Sequence, residues 1–379
     1  MPEGDSIHRI ARVFQGINSC DRIGATSPQG RFREGAALLD STYLHCSQAV
    51  GKHLFMGFHP NPPLASQQDI TKANKTNNTL TRATNNAPAD DPSTDVCAYF
   101  ASSHGKSAEI NNIDIFTGDP AVVSNGTEPA TIVPTANDML WLHIHLGLYG
   151  YWRFSGSQSF RVLDFWGSPG SAHVPARVTI GGDDDTWEAP EPIGQVRLRL
   201  QFAHGVADVA GPNNCEIITA QELHAIVRRL GPDPLRCHID NPAHAKKRFI
   251  DGVRSSARPI AQLIMDQSIV AGPGNIYRAE CLFRTKISPY RKGKNVSRQR
   301  LGLLWDDLCA QMERGLELGR IVTIDDIDIP HPVPEDDQAL YRHYIYQRDG
   351  KDCLRCGARI RLASMAGRKL FWCPGCQAH

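Results

Sequence analysis

The chain has 379 residues, 41% of them hydrophobic, which is enough for two or three domains with an ordinary soluble core. No stretch reaches the 18 or more apolar residues of a spanning helix, and Met1-Pro2-Glu3-Gly4-Asp5 is acidic and polar where a secretory signal is basic and then apolar. A membrane protein is therefore excluded, a cytoplasmic location is expected, and the net charge of +1 conceals a basic region in which residues 246–300 carry 13 Lys or Arg against three acids.

Read in chain order, Ile7, Ile10, Val13 and Phe14 have helical spacing, with Asp5 or Ser6 available as a cap, so the N-terminal amine should sit just before a helix. From Cys20 to Phe58 short alternating segments are punctuated by turns such as Ser27-Pro28-Gln29-Gly30. Similar segments return at Leu140 to Phe154, Phe160 to Phe165 and Val196 to Phe202. This predicts a β-rich first domain.

Between those strands, about 59–138, the composition shifts to Asn, Thr, Ser, Ala and Pro with little periodicity, which reads as an insertion. Its Asn-x-Thr triplets at Asn74, Asn77 and Asn125 are glycosylation acceptors only in a secreted protein, and nothing else indicates secretion. From Gln221 the pattern turns helical, broken at Gly231-Pro232-Asp233-Pro234 and continuing to about Gly319. A Pro-rich acidic stretch, Pro330 to Asp337, precedes a compact Cys-containing end. The fold class is α+β.

Four of the 11 cysteines fall in Cys353-x-x-Cys356 and Cys373-x-x-Cys376, a spacing that brings two thiolate pairs around one tetrahedral zinc. With four sulfur ligands no position is open for water, so the metal is structural. Arg359 to Leu362 and Lys369 to Trp372 read as two strands, with Ser364 to Arg368 as their turn. The other seven cysteines are scattered and read as free thiols.

In Gly272-Pro273-Gly274-Asn275 a helical run breaks and restarts, leaving backbone N–H groups aimed outward as a seat for a phosphate. An ordinary helix corner has the same text; the basic run around it favours DNA. Pro2-Glu3 at the mature terminus means little by itself. His143 and His145, at strand spacing and without a third ligand, read as packing residues, and Asp183-Asp184-Asp185 reads as a solvated turn.

Taken in order, PEGDS at the start, GPGNIYRAE in the helical middle and CLRC to CPGC at the end resemble the formamidopyrimidine-DNA glycosylase and endonuclease VIII family. So do GKHLF at Gly51 to Phe55, HLGLYG at His145 to Gly150 and GRKLFWCPGCQ at Gly367 to Gln377. PEGDS is closer to the bacterial endonuclease VIII branch. The resemblance implies an N-terminal β-sandwich with a leading helix (2–210), a helix-two-turns-helix unit (215–325) and a C-terminal zinc-finger hairpin (340–379).

It further implies Pro2 as nucleophile, Glu3 as acid/base residue, and Lys52 as the lysine that contacts the damaged nucleotide. Asn275, Lys52 and Arg368 would hold the phosphates flanking the lesion, and Leu148 and Tyr149 would enter the stack when the base leaves. The expected protein is a monomer that binds damaged double-stranded DNA in the bacterial cytoplasm, associated with the nucleoid. One structural Zn2+ and no small-molecule cofactor or membrane are expected. The expected reaction is removal of oxidised bases, pyrimidines first, with strand cleavage by β,δ-elimination through a Schiff base. Two alternatives stand beside it: a preference for oxidised purines, and a catalytically silent damage-binding protein. Asp208 to Pro212 lies where relatives often carry an arginine before Gly-Pro, so a contact to the opposite base from that loop is not expected.

Overall fold

The computed structural model describes residues 2–17, 21–63, 135–160, 176–236, 241–329 and 341–378. Helix α1 (Gly4–Gly16) buries Ile7, Ile10, Val13 and Phe14 on one face, as the spacing requires. Neither Asp5 nor Ser6 caps it. The helix starts at least two residues earlier, with Glu3 in the N-cap position and no side-chain cap, because the Glu3 carboxylate is engaged elsewhere. Asp5 lies buried in the first turn.

Two sheets follow. Strands β2 (Tyr43–Val50), β3 (His53–His59), β4 (Leu140–His145) and β9 (Asn214–Ile218) form one antiparallel sheet in that order. The other runs β1-β7-β8-β5-β6, from β1 (Gly24–Thr26), β7 (Val196–Phe202), β8 (Gly205–Ala210), β5 (Tyr151–Gly156) and β6 (Ala176–Ile180). Alternate residues Leu54, Met56 and Phe58 of the first sheet meet Leu198, Leu200 and Phe202 of the second in one core, closed by Phe14 of α1 and by Ala36 and Leu39 of α2 (Arg33–Leu39). The Phe14 ring lies 4.8 Å from Trp152, edge-on.

The opposite face of the first sheet carries Phe55 and Trp141, covered by Leu223 and Val227 of α3 (Ala220–Arg228). This moves the end of the first domain. Residue 210 reads as its limit from the sequence, yet β9 pairs with β4 and α3 packs on the same sheet, so the unit continues through 228. The insertion also narrows: Phe58 and His59 end β3, and Thr135 to Asp138 form a turn with a capping box, while 64–134, including Asn74, Asn77 and Asn125, lies outside the described residues. Of the Phe160 to Phe165 segment only Phe160 is described. Asp183 to Asp185 forms an exposed turn, as read.

Helices α4 (Pro242–Arg254), α5 (Ile260–Leu263), α6 (Asn275–Arg284) and α7 (Arg298–Leu318) build a second core, to which Met365 and Leu370 of the terminal hairpin contribute. That hairpin pairs β10 (Arg361–Met365) with β11 (Arg368–Trp372). Its turn is shorter than read: only Ala366 and Gly367 lie between the strands, both at positive φ (51° and 72°), the geometry of a two-residue turn that matches strand twist. Pro330 to Asp337 lies outside the described residues. Among the described residues no helix is long and apolar enough to cross a membrane.

Candidate active site

Three segments distant in sequence converge at the N-terminus of α6. The Gly4 N–H donates to Gly272 O at 2.9 Å, and Gly272 adopts a φ of +107°. A Cβ on Gly4 would lie 2.8 Å from Gly272 Cα, one on Gly51 (φ +58°) 2.8 Å from Ala271 Cβ, and one on Gly274 2.5 Å from the Glu3 carboxyl carbon. Glycine is required at Gly4 because backbone approaches backbone, at Gly51 by its positive φ and the close Ala271–Gly272 segment, and at Gly274 because the buried Glu3 side chain lies against its Cα. This is the physical content of the PEG, GK and GPGN motifs: they let the chain start, the β2–β3 turn and the α6 turn touch.

Glu3 is fully buried there. Its carboxylate accepts from Gly274 N at 2.7 Å, Ile276 N at 2.8 Å and Tyr277 N at 3.4 Å. The anion seat expected for a DNA phosphate at this helix start therefore exists, and the protein's own Glu3 occupies it. Lys52, next to Gly51, donates from Nζ to Pro273 O at 2.8 Å. Burial pulls its ammonium below the usual lysine range, and the nearby Glu3 charge opposes that shift. The turn is clipped from the second lobe by Asp233, whose Oδ2 accepts from Gly51 N at 2.6 Å and pairs with His8 Nε2 at 2.8 Å.

Above this junction an open cleft of about 360 Å³ is lined by Pro2, Lys52, His145, Leu148, Tyr149 and Arg368, among others. Leu148 is 50% and Tyr149 86% exposed on the β4–β5 turn, so two large apolar side chains stand at the rim without cover. Asn275 does not line the cleft. It is buried one layer down, donating from Nδ2 to Lys369 O at 3.0 Å, while Arg278 donates to Asn275 Oδ1 and, at 2.7 Å, to the same Lys369 O. Asn275 thus ties α6 to the strand that begins with Arg368. Of the residues read from sequence, Pro2, Lys52, Leu148, Tyr149 and Arg368 share one cleft and Glu3 lies beneath it.

Sequence reading passed over three residues here. His145 enters the cleft wall although it reads as packing; the signal was its place in HLGLYG beside a rim loop. Asp233 reads only as part of a breaker. Glu280, fully buried in α6, accepts from Tyr344 N (2.8 Å), Ile345 N (2.9 Å), Tyr346 N (2.8 Å) and Thr323 Oγ1 (2.6 Å), which docks the terminal unit onto the helix. Asp208 is not among the residues that line the cleft and pairs with Arg199 at 2.7 Å within the sheet.

The Sγ atoms of Cys353, Cys356, Cys373 and Cys376 all lie within 4.8 Å of one another, with Cys353 and Cys376 3.8 Å and Cys356 and Cys373 3.4 Å apart. Those separations exceed a disulfide and suit ligands each about 2.3 Å from one zinc ion. Gly375 is part of the fit, since a Cβ there would meet Cys356 Sγ at 2.8 Å. The metal is a structural Zn2+. Gln377 fixes the knuckle by accepting from Cys373 N at 2.9 Å and donating to Ile287 O at 2.9 Å. Cys46, Cys215, Cys281 and Cys309 form no disulfide.

A sandwich whose chain start is buried, a helical unit whose turn receives that start, and a zinc hairpin docked on the same helix define an α+β architecture built around one helix N-terminus. The comparisons narrow the class. Residues 230–326 match the formamidopyrimidine-DNA glycosylase H2TH domain, and residues 350–378 match the zinc finger found in formamidopyrimidine-DNA glycosylase and isoleucyl-tRNA synthetase. The chain is 31% identical over 380 residues, covering 100% of both proteins, to Endonuclease 8 1 of Mycobacterium tuberculosis. It is 35% identical to the formamidopyrimidine-DNA glycosylase of Thermus thermophilus over 152 residues, 40% of this chain and 55% of that one. A crystal structure of the Lactococcus lactis glycosylase with DNA containing N7-benzyl-Fapy-dG shares the fold, with a TM-score of 0.58, 18% identity and complete coverage of both chains. The chain belongs to the formamidopyrimidine-DNA glycosylase and endonuclease VIII family of DNA-repair glycosylases.

Proposed function

We propose that the chain is a bifunctional DNA glycosylase and abasic-site lyase of base-excision repair, acting as a monomer on damaged duplex DNA with Pro2 as its nucleophile. The observation that carries this reading is the placement of Pro2 in the cleft wall with Lys52, directly above a buried Glu3 carboxylate. Once Met1 is removed, Pro2 offers a secondary amine. A terminal amine has a reference pKa of about 7.7 to 8.0, so an appreciable fraction is unprotonated at neutral pH, unlike a lysine.

The neutral amine attacks the sugar C1′ and the C1′–N bond breaks; the Glu3 carboxylate takes the proton from the attacking nitrogen and passes it to the departing base. The C1′–O4′ bond then opens, O4′ taking a proton from water as the nitrogen lone pair forms the iminium. The resulting iminium withdraws electrons, a C2′ proton is lost and the C3′–O bond breaks; a second elimination at C5′ completes β,δ cleavage. Lys52 and Arg368, with His145 beside them, face the phosphates flanking the lesion. Asn275 joins them from below, exchanging its bond to Lys369 O for a phosphate as DNA enters. Leu148 and Tyr149 fill the stack when the target base rotates out. No base contact to the opposite strand is assigned to Asp208.

The full-length similarity to Endonuclease 8 1, with the PEGDS start, supports oxidised pyrimidines as the preferred lesions. Excision rates on duplexes carrying an oxidised pyrimidine or an oxidised purine test that preference, and faster purine excision would reverse it. The nucleophile is tested by borohydride trapping on abasic DNA followed by mass spectrometry. An adduct on Pro2 is expected; an adduct on a lysine, or none, overturns the assignment, and the latter result points to a silent damage-binding protein.

A further inference from the structure

The two histidines that read as packing residues belong to a polar chain that ends at the cleft. The register pairs Glu216 of β9 with His143 of β4, His143 with Phe55 of β3, and His145 with His53, so these groups share one face of the four-stranded sheet. Glu216 Oε1 lies 2.9 Å from His143 Nδ1, and His143 Nε2 lies 2.9 Å from His53 Nδ1. His53 then packs against His145, with ring centroids 4.9 Å apart, and His145 lines the cleft with Lys52 and Arg368. Phe55 holds the middle of the row, its ring 5.0 Å from His143.

The chain has one polarity. A carboxylate only accepts, so His143 carries its proton on Nδ1 and, as a neutral ring, accepts at Nε2; His53 must then donate from Nδ1 and keep a lone pair on Nε2. Burial lowers the pKa of His143, and burial with His143 close by pushes His53 down to about 3, so both rings stay neutral at physiological pH. The outer end reaches water, since the Glu216 side chain is 47% exposed while that of His143 is 4% exposed. A pair that served packing alone would not need a buried donor–acceptor sequence that begins at a surface carboxylate and stops against a cleft residue.

We infer that Glu216 and His143 are positioning residues, a relay that holds His53 in a single tautomer and orientation and through it fixes His145 in the DNA-facing wall beside Lys52. The inference rests on reading the cleft as the DNA site. Fixing the orientation matters there: a freely rotating His53 would widen the range of His145 positions in the wall that meets DNA, at the expense of binding rather than of chemistry at Pro2.

The test combines binding, rate and nitrogen spectroscopy on the full-length, zinc-loaded protein. His143→Phe keeps the ring that stacks on Phe55 and removes both hydrogen bonds. Its Kd for duplex containing a tetrahydrofuran abasic analogue should rise about five- to tenfold as His145 loses its fixed position, while the saturating single-turnover rate on abasic DNA changes less than about twofold. Glu216→Gln, at a half-exposed position that leaves folding intact, should raise the same Kd about two- to threefold, because an amide no longer imposes one polarity on the relay. Histidine 15N spectra should show His53 wholly in the Nδ1–H form in the parent protein and a mixture of tautomers in Glu216→Gln. An unchanged tautomer in that variant, unchanged Kd in both, or a fall in rate without a change in Kd overturns the relay. Absence of a borohydride adduct with the parent protein would instead remove the lyase reading, and the tautomer and Kd results would still decide the relay.

Discussion

Helix α6 meets two buried carboxylates, and the comparison between them separates reactivity from anchorage. Glu3 arrives from the other end of the chain and receives three backbone N–H groups at the helix N-terminus. Glu280 belongs to the helix itself and receives three N–H groups of residues 344–346 with the Thr323 hydroxyl. Both are fully buried and satisfied largely by backbone donors, the condition under which a carboxylate survives without an ion pair. The difference is what lies next door. Glu3 sits under a cleft with Pro2 and Lys52, whereas Glu280 sits among Phe283, Tyr344 and Ile345 in the core that seats the zinc unit. On the proposed reading the same electrostatic device serves chemistry at the start of the helix, while at its middle it docks the terminal unit.

Glu3→Gln should break the comparison most sharply. Base excision should fall by about 10²- to 10⁴-fold, the usual worth of a positioned proton donor, while cutting at a preformed abasic site should retain more activity because no base remains to be expelled. Parallel single-turnover assays on the two substrates check it, and equal loss of both would remove the acid role. Glu280→Gln should act on stability instead, costing about 2–5 kcal/mol because an amide cannot accept from four donors at once. Denaturant unfolding measures this, and normal stability would show that the zinc unit docks by its apolar face alone.

Leu148→Ala tests whether the cleft rim is as functional as the reading of Glu3 requires. The side chain is half exposed, so stability should hardly change, but action on duplex should weaken by about three- to thirtyfold relative to single-stranded substrate through loss of the wedge that offsets unstacking. Equal effects on the two substrates would assign Leu148 to general binding.

The elements that the sequence announces are those with local causes. Helix α1 follows from four apolar residues at helical spacing, and the zinc site from two Cys-x-x-Cys pairs whose hairpin closes over 17 to 23 residues. What escaped depends on contacts far apart in the chain. The seat at α6 was visible as Gly-Pro-Gly-Asn, but its occupant is 271 residues away, so an internal carboxylate and an external phosphate read alike. His143 and His145 showed strand periodicity, yet their role required the β3–β4 register across the long insertion to bring in His53. The first-domain boundary failed for a related reason, since Asn214 to Ile218 is a strand only because β4 offers an edge to it. Asn275 illustrates the reverse case: its place at the helix restart is plain in the sequence, and only the fold shows that its amide bonds to the hairpin.

The last expected effect is on pH dependence rather than on activity; it concerns Asp5 and follows from how the donors near Glu3 are shared. Glu3 takes three N–H groups, leaving Asp5, two residues on and almost fully buried, with one carboxyl oxygen that has no partner. Burial, then the Glu3 charge, raises its pKa to about 7. In the unfolded chain the group loses its proton near 3.8, so between that pH and about 7 the folded state binds the extra proton. Stability from this group is complete below pH 3.8, falls as pH rises through the interval and is constant above pH 7. The full shift corresponds to at most about 4 kcal/mol, and relaxation around Asp5 reduces it. Asp5→Asn should therefore flatten the decline in melting temperature between pH 5 and pH 7.5 and leave the variant the more stable of the two at the upper end. An identical pH dependence in both proteins would mean that the Asp5 carboxyl is ionised in the fold, and that the N-terminal junction holds two carboxylates where the α6–zinc junction holds one.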